Sequence, residues 1–205
     1  MHGLARRLRG AVLDALAPSR CAGCGDSGQV LCEACAAALE ATPPPLVTGV
    51  RAAFVYDTEV RRILHHGKFR DCRAALRALA WLGASRLTPP AGGVVVPVPL
   101  AGRRLAERGC NQASVVATAF ADFHRLPAAD LLVRTRDTPA QSTLNRSTRQ
   151  ANVADAFAAS GESAAATVWL VDDVMTTGAT SQAARRALLD AGAAPVEVAV
   201  LAAVL

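Results

Sequence analysis

The sequence predicts an α/β domain built on a mostly parallel sheet, preceded by a small cysteine-rich knob. Three observations carry this reading. Residues 167–204 run as apolar strand, polar loop, helix and apolar strand, the spacing of a βαβ unit. Over half of the 205 residues are hydrophobic but only 4% are aromatic, a composition of valine- and alanine-rich packed layers and not of a disordered chain. Four of the six cysteines fall in two Cys-x-x-Cys pairs between Cys21 and Cys35, ahead of the stiff run Pro43-Pro44-Pro45. The length fits one domain of ordinary size plus a small appendage, enough to bury a core without a disulfide framework.

Taken in order, residues 1–17 have a basic start that resembles a signal peptide. However, Asp14 interrupts the apolar region, and leucines at 4, 8, 13 and 16 have amphipathic-helix spacing. A helix packed on its own domain is expected, and with it a cytoplasmic chain. No stretch approaches the roughly 20 apolar residues of a membrane span, so no membrane insertion is expected. After the knob, Ala36 to Glu40 reads as a short helical exit, and the prolines divide residues 1–42 from 43–205. Val50 to Tyr56 is a predicted strand. Thr58-Glu59-Val60 opens a helix through Leu64, and Asp71 can cap another running to about Leu87. Gly92-Gly93 leads into a strand over Val94 to Pro99, whose prolines end the ladder. Asn111 to His124 has helical spacing, Leu131 to Val133 is a short strand, and the polar stretch Thr135 to Asn152 reads as a mobile loop. Thr167 to Val171 is a buried strand, Ala179 to Ala191 a helix ended by Gly192, and Val196 to Val204 the last strand. In such a sheet ligands sit at the carboxyl ends of the strands.

Charge is unevenly placed. Residues 41–149 hold 16 basic against 7 acidic residues, whereas 150–205 hold 2 against 6 and 1–40 balance. A basic centre suits phosphates or nucleic acid. Lys68 is the single lysine among 22 basic residues, which singles it out as a candidate contact.

The strongest chemical signal lies at Asp172-Asp173-Val174-Met175-Thr176-Thr177-Gly178-Ala179-Thr180, where the predicted strand meets the predicted helix. Peptide N–H groups of a first helical turn lack internal partners, and the helix dipole adds partial positive charge there. Gly178 permits the tight turn, and the hydroxyls of Thr176, Thr177 and Thr180 add donors suited to a phosphomonoester. Asp172 and Asp173 only accept hydrogen bonds when ionised, so together they can hold the two vicinal hydroxyls of a ribose. A lone Asp-Asp or Thr-Gly would read as solvated surface; the contiguous set reads as a 5-phosphoribose site.

In the knob, Cys21, Cys24, Cys32 and Cys35 form two pairs separated by seven residues. Four thiolates in a tetrahedral shell suit a structural Zn²⁺ with no open position. An iron–sulfur cluster would accept the same ligands, while disulfides do not fit a cytoplasmic chain.

Residues 168–180 closely resemble the phosphoribosyl pyrophosphate (PRPP) motif of type I phosphoribosyltransferases. Further segments resemble one branch, the ComF family associated with DNA uptake in competence. These are the paired cysteines, Lys68-Phe69, Val96-Pro97-Val98-Pro99-Leu100, Arg108-Gly109-Cys110-Asn111-Gln112, Arg134-x-Arg136-x-Thr138-x-x-Gln141, Arg149-x-x-Asn152-Val153 and Ala156-Phe157. Cys110 departs from the pattern, which tends to carry an aromatic there.

The resemblance implies a type I phosphoribosyltransferase fold with an N-terminal four-cysteine zinc knuckle. It also implies PRPP or a phosphoribosyl nucleotide as ligand, Mg²⁺ accompanying PRPP, and Asp172 and Asp173 as the reactive-site acids. A pyrophosphate loop is implied at Leu100 to Arg104, with Arg103, Arg104 and Arg108 as cationic contacts beside Lys68. A closing loop over 135–152 would bring Gln141, Arg146 and Arg149. Single-stranded DNA and helicase or channel proteins of DNA uptake are the implied partners. No general base for an acceptor stands out: His65, His66 and His124 read as structural or surface residues.

Overall fold

The computed structural model describes residues 19–66, 72–136, 155–160 and 167–205. The expected helix over 1–17, Asp71, Lys68 and Phe69, and most of the expected loop over 135–152 lie outside them.

In the knob, Cys32 is the N-cap of helix α1 (Glu33–Ala41), which starts earlier than the helical exit expected from Ala36. After the prolines, a two-residue strand β1 (Leu46–Val47) pairs antiparallel with β2 (Val50–Val55). Helix α2 (Thr58–His66) follows; Asp57 Oδ1 accepts the Val60 N–H at 2.8 Å, so the cap precedes the threonine that opens the helix. Then come α3 (Cys72–Ser85), β3 (Val94–Pro97), α4 (Gly102–Arg108) and α5 (Gln112–His124). A short ribbon pairs β4 (Leu132–Arg134) antiparallel with β5 (Phe157–Ala159). Strand β6 (Val168–Met175), helix α6 (Ala179–Asp190) and strand β7 (Val196–Ala203) complete the described elements.

The main sheet has the order β1-β2-β7-β6-β3, and every pairing except β1–β2 is parallel. This is the mostly parallel sheet the βαβ spacing predicts. Both faces are covered, which is why its strands are apolar throughout and not alternating. On one face Trp169, Val171, Ala199 and Leu201 pack with residues of α2, α3 and α5. On the other, Val168, Leu170, Val198 and Val200 pack with Ala184 and Leu188 of α6 and with Leu132 and Phe157 of the ribbon. His124 belongs to the first layer as a structural residue: its Nε2 lies 2.9 Å from the Ala84 carbonyl and its ring meets Trp169 edge-on.

Two expectations change. β6 does not stop at Val171 but continues through the acidic pair to Met175, because β7 runs beside it and pairs Asp172 with Val200 and Val174 with Ala202. Residues 102–108 form α4 where a loop through Arg104 is expected; Ala101 is buried under the helix start, and the turn ends on Gly109 in the left-handed region.

The knob packs on this body. Ala22 and Leu39 are buried in the same cluster as Phe54, Val60 and Ile63. Arg62 of α2 donates to the Gly23 carbonyl at 2.9 Å. Arg86, stacked over the Phe54 ring, donates to the Leu39 carbonyl at 2.7 Å and to the Thr42 carbonyl. The last carbonyls of α1 have no helical partners, and the helix dipole makes that end negative, so a guanidinium is a fitting cap.

Candidate functional site

β3 and β6 are neighbours, and the Val98 N–H donates to the Val171 carbonyl at 2.9 Å. β3 ends there, while β6 projects beyond it as Asp172 to Met175. The acidic pair therefore stands at the carboxyl end of the sheet, beside the exit of β3. Strict alternation would put residues three apart on opposite faces. Yet Val171 and Val174 both pack on the first cluster, as do the sequence neighbours Ala53–Phe54 and Leu201–Ala202. The strand register is nevertheless continuous through the pair, from Val171 opposite Ala199 to Met175 opposite Ala203.

Asp172 is buried and Asp173 half-buried. Asp172 Oδ1 accepts the Asp173 N–H at 2.9 Å, and Asp173 Oδ1 accepts the Val174 N–H at 2.8 Å. Each carboxyl is thus oriented by a backbone N–H. Burial first, and then the charge of Asp173, push the Asp172 carboxyl well above the usual carboxylate range; the Asp173 N–H and the positive charge of Arg134 act in the opposite direction.

Thr176, Thr177 and Gly178 connect the pair to α6. Gly178 has φ +76°, the left-handed region that glycine enters without the Cβ penalty. The Ala179 N–H lies 3.5 Å from Thr177 Oγ1, and the peptide N–H groups of Thr176, Thr177 and Gly178 have no acceptor among the described residues. Ala179 is buried and Thr180 half-buried. Strand end, turn and helix start thus bring these peptide donors and the two carboxyl groups into one contiguous segment at the carboxyl end of β6.

The arginines after β3 are placed on α4. Arg103 is exposed and paired with Glu107 at 3.0 Å, one turn on. Arg104 is half-buried, and Arg108 donates to Gln112 Oε1 at 2.8 Å. They share the carboxyl end of the sheet with the loop, but two of the three are engaged with neighbours on their own surface. Asn111 braces the region by donating from Nδ2 to the Val98 carbonyl at 3.0 Å. Lys68, Gln141, Arg146 and Arg149 lie outside the described residues. Arg134, which only the resemblance motif singled out, is the cation that acts on Asp172, and its guanidinium lies 5.2 Å from the Phe157 ring centre.

In the knob, the four Sγ atoms of Cys21, Cys24, Cys32 and Cys35 all lie within 4.8 Å of one another. Cys24 and Cys32 are 3.7 Å apart, close to the edge of about 3.8 Å that Zn–S bonds of about 2.3 Å give in a tetrahedron. The donor set therefore fits a zinc ion. Cys32 and Cys35 sit on the first turn of α1, where the helix dipole favours thiolates. Burial opposes ionisation of Cys21, but N–H groups of Cys32, Cys24 and Gly23 outweigh it and bring the thiol down to about 6; burial and the other thiols push Cys35 up. Gly23 is required by proximity: a Cβ there would stand 2.7 Å from Cys35 Sγ.

The phosphoribosyl transferase domain family matches residues 77–205. The chain is 32% identical over 147 residues to the competence protein ComFC of Streptococcus pneumoniae (strain ATCC BAA-255 / R6), covering 72% of this chain and 64% of that protein. It is 29% identical over 147 residues to ComFC of Bacillus subtilis (strain 168), covering 70% and 59%. The chain thus spans about three-fifths of the length of these curated relatives. Among solved structures it is similar to the glutamine PRPP amidotransferase from B. subtilis complexed with ADP and GMP, at 21% identity and TM-score 0.47 over 67% of this chain and 30% of that one. A UMP synthase from Leishmania donovani aligns at 18% identity and TM-score 0.35, covering 68% and 23%.

Proposed function

This chain belongs to the phosphoribosyl transferase domain family, as a ComF-type, phosphoribosyltransferase-like protein with a type I fold, and from that premise we propose that it binds PRPP or a phosphoribosyl nucleotide. The observation that carries the reading is the set of N–H groups at Thr176, Thr177 and Gly178, without acceptors among the described residues, that follows Asp172 and Asp173 at the strand end. Phosphate oxygens accept from the loop, the hydroxyls of Thr176, Thr177 and Thr180 and the start of α6. The ribose hydroxyls donate to the carboxylates.

In the transfer reading, the C1–O bond of PRPP loosens to an oxocarbenium-like state and diphosphate leaves. The chain's part is to hold the ribose ring, to place Arg103, Arg104 and Arg108 near the departing charge, and to exclude water. The cysteines form the only group of three or more metal-binding side chains clustered among the described residues. Mg²⁺ would accordingly be held by pyrophosphate and ribose oxygens, where it supplies Lewis-acid stabilisation. In this reading zinc in the knuckle is structural, residues 1–42 form the knob and 43–205 the phosphoribosyltransferase-like domain, and the chain works in the cytoplasm. No described helix is long and apolar enough to cross a membrane. The relatives' name suggests a place in competence. Incubation with PRPP, Mg²⁺ and a panel of bases and amines, scored by pyrophosphate release, is expected to identify an acceptor.

The second reading is a non-catalytic PRPP or nucleotide module that binds single-stranded DNA beside helicase or channel proteins of DNA uptake. It is favoured by the exposed cationic surface of α4. PRPP binding without pyrophosphate release across the whole panel would select it.

A further inference from the structure

The two flanks of β6 differ in chemistry at the carboxyl end of the sheet. On one side lies the exit of β3, followed by α4 with Arg103, Arg104 and Arg108. On the other lie β7 and then β2, where Val55, Ala203 and Met175 form one row across β2, β7 and β6. Backbone bonds tie down the next row: the Tyr56 N–H donates to the Ala203 carbonyl at 2.7 Å, and the Val204 N–H to the Met175 carbonyl at 2.9 Å. Tyr56, Val204 and Thr176 therefore stand side by side, with Tyr56 two strand spacings, roughly 10 Å, from the start of the Thr-Gly loop. Val204, in the middle, is 42% exposed although it is apolar. Tyr56 is half-buried, and its Oη lies 3.4 Å from Nε2 of His65, an exposed residue in the last turn of α2. One flank thus offers guanidinium groups, the other a phenol ring, an imidazole and an aliphatic surface.

We propose that Tyr56 and His65, with Val204 between them and the loop, form the acceptor subsite, and that the acceptor is a flat nitrogen heterocycle. This rests on the reading of Asp172, Asp173 and the Thr-Gly loop as a phosphoribose site. Transfer forms a bond from an acceptor nitrogen to C1 as the C1–O bond breaks; the C1–O electron pair leaves with diphosphate, and the nitrogen's proton is released to solvent. The reacting atoms must align, so acceptor and leaving group lie on opposite sides of C1. With diphosphate drawn to the arginines on the β3 flank, the acceptor enters from the flank of β7 and β2. A flat heterocycle suits what stands there. Its face covers Val204 and stacks on the phenol ring, and its edge exchanges hydrogen bonds with phenol and imidazole, each of which donates or accepts.

Tyr56 is the chain's single tyrosine, so labelling with ring-¹³C tyrosine gives one residue's signals. The full chain is titrated with ribose 5-phosphate and with purine and pyrimidine nucleoside 5′-monophosphates, which add a base to the same sugar phosphate. A nucleotide is expected to move the tyrosine signal through the ring current of its base, and ribose 5-phosphate to leave it in place. By calorimetry the best nucleotide is expected to bind at least about fivefold more tightly than ribose 5-phosphate, the lower end of what a base stacked on an aromatic ring contributes. Tyr56→Leu is expected to abolish that increment and keep ribose 5-phosphate affinity, whereas Tyr56→Phe keeps most of it. His65→Ala, on an exposed helix position, is expected to lower the increment about threefold through a lost hydrogen bond. Circular dichroism checks that each variant is folded; if Tyr56→Leu is not, the labelled parent and His65→Ala decide. Ribose 5-phosphate that binds while no nucleotide moves the tyrosine signal overturns the subsite. An increment unchanged in the folded variants does the same. If neither ribose 5-phosphate nor any nucleotide binds, the phosphoribose reading fails and the subsite with it, so the two failures are distinct.

Discussion

The cysteine knob and the Thr-Gly loop are both short contiguous segments with a glycine turn, but they are held in place by opposite means. The loop is the continuation of β6, flanked by β7 along its whole length and by β3 up to Val171. Its geometry is set by a buried sheet and does not need the ligand. The knob has a single short helix and a few turn hydrogen bonds, such as Cys21 N–H to the Asp26 carbonyl at 2.8 Å. Its inner contacts converge on four sulfur atoms instead of a core. A seam of arginine-to-carbonyl bonds from Arg62 and Arg86 ties the knob to the body.

The largest expected effect follows from that asymmetry. Structural zinc contributes about 10–16 kcal/mol in small fingers. Cys24→Ser is therefore expected to take metal content from one zinc per chain to near zero and to expose the amides of Glu33–Ala41 to hydrogen exchange. The amides of β6 and β7 are expected to stay protected. Elemental analysis that found iron, or full zinc in the variant, would reject the zinc knuckle; equal loss of protection in β6 would erase the contrast between the regions.

The seam is next. Arg86→Ala removes two hydrogen bonds from a charged donor and the stacking over Phe54. Bonds of this kind are worth about 1.5–3 kcal/mol each, discounted here because the side chain is partly exposed. A loss of about 2 kcal/mol is expected in denaturant unfolding, with zinc stoichiometry kept. Unchanged stability would mean that the knob is tethered by its apolar contacts alone.

Within the loop, Asp172→Asn with Asp173→Asn is expected to weaken PRPP binding at least about tenfold, since charge-assisted hydrogen bonds to the diol are lost and 1.4 kcal/mol is a factor of ten. Inorganic phosphate, which uses only the Thr-Gly donors, is expected to bind equally or more tightly once the negative charge is gone. Because burial raises the folded-state pKa of Asp172, the folded chain keeps a proton that the unfolded chain releases. Stability therefore falls as pH rises from about 4, the unfolded carboxyl range, up through the folded value. The double variant lacks that loss, so its melting temperature near neutral pH is expected to match or exceed the parent's. Calorimetric titration with both ligands checks the binding claims, and unchanged PRPP affinity would end the ribose role of the pair.

How much of this was legible in the sequence differs between the regions for the same physical reason. The knob's four clustered cysteines were written in local spacing, but its helix starts at Glu33, earlier than the expected Ala36, and the closeness of Gly23 to Cys35 Sγ shows only in the structure. Most of the sheet was readable because both its faces are buried, which makes its strands plain apolar runs. The end of β6 was not, since two aspartates look like a loop; it is β7, pairing through Met175, that keeps them in the strand. Helix α4 was also missed, because Gly102 and three arginines leave little apolar periodicity. The bonds of Arg62 and Arg86 to the knob were not readable either, because they join segments far apart in the chain.

The smallest expected effect concerns α4, which shares the loop's end of the sheet but has neither the loop's burial nor the knob's ligand cage. If single-stranded DNA lies on this surface, phosphate contacts supply most of its affinity, and each contact contributes about −0.7 to the slope of log affinity against log salt. Stacking adds little, because the chain has only five Phe, two Trp and one Tyr, and Phe120 and Trp169 are fully buried. Binding is therefore expected to be salt-sensitive and nearly indifferent to sequence. Replacing Arg103, Arg104 and Arg108 with alanine would flatten the slope by about 2 if all three met phosphates freely. Arg103 already neutralises Glu107 and Arg108 is held by Gln112, so part of their attraction is spent locally and a change of about 1 is expected. Titration of labelled oligonucleotides across a salt series measures it. An unchanged slope would move the contact away from α4, and no binding at low salt would remove the physical support for the DNA module.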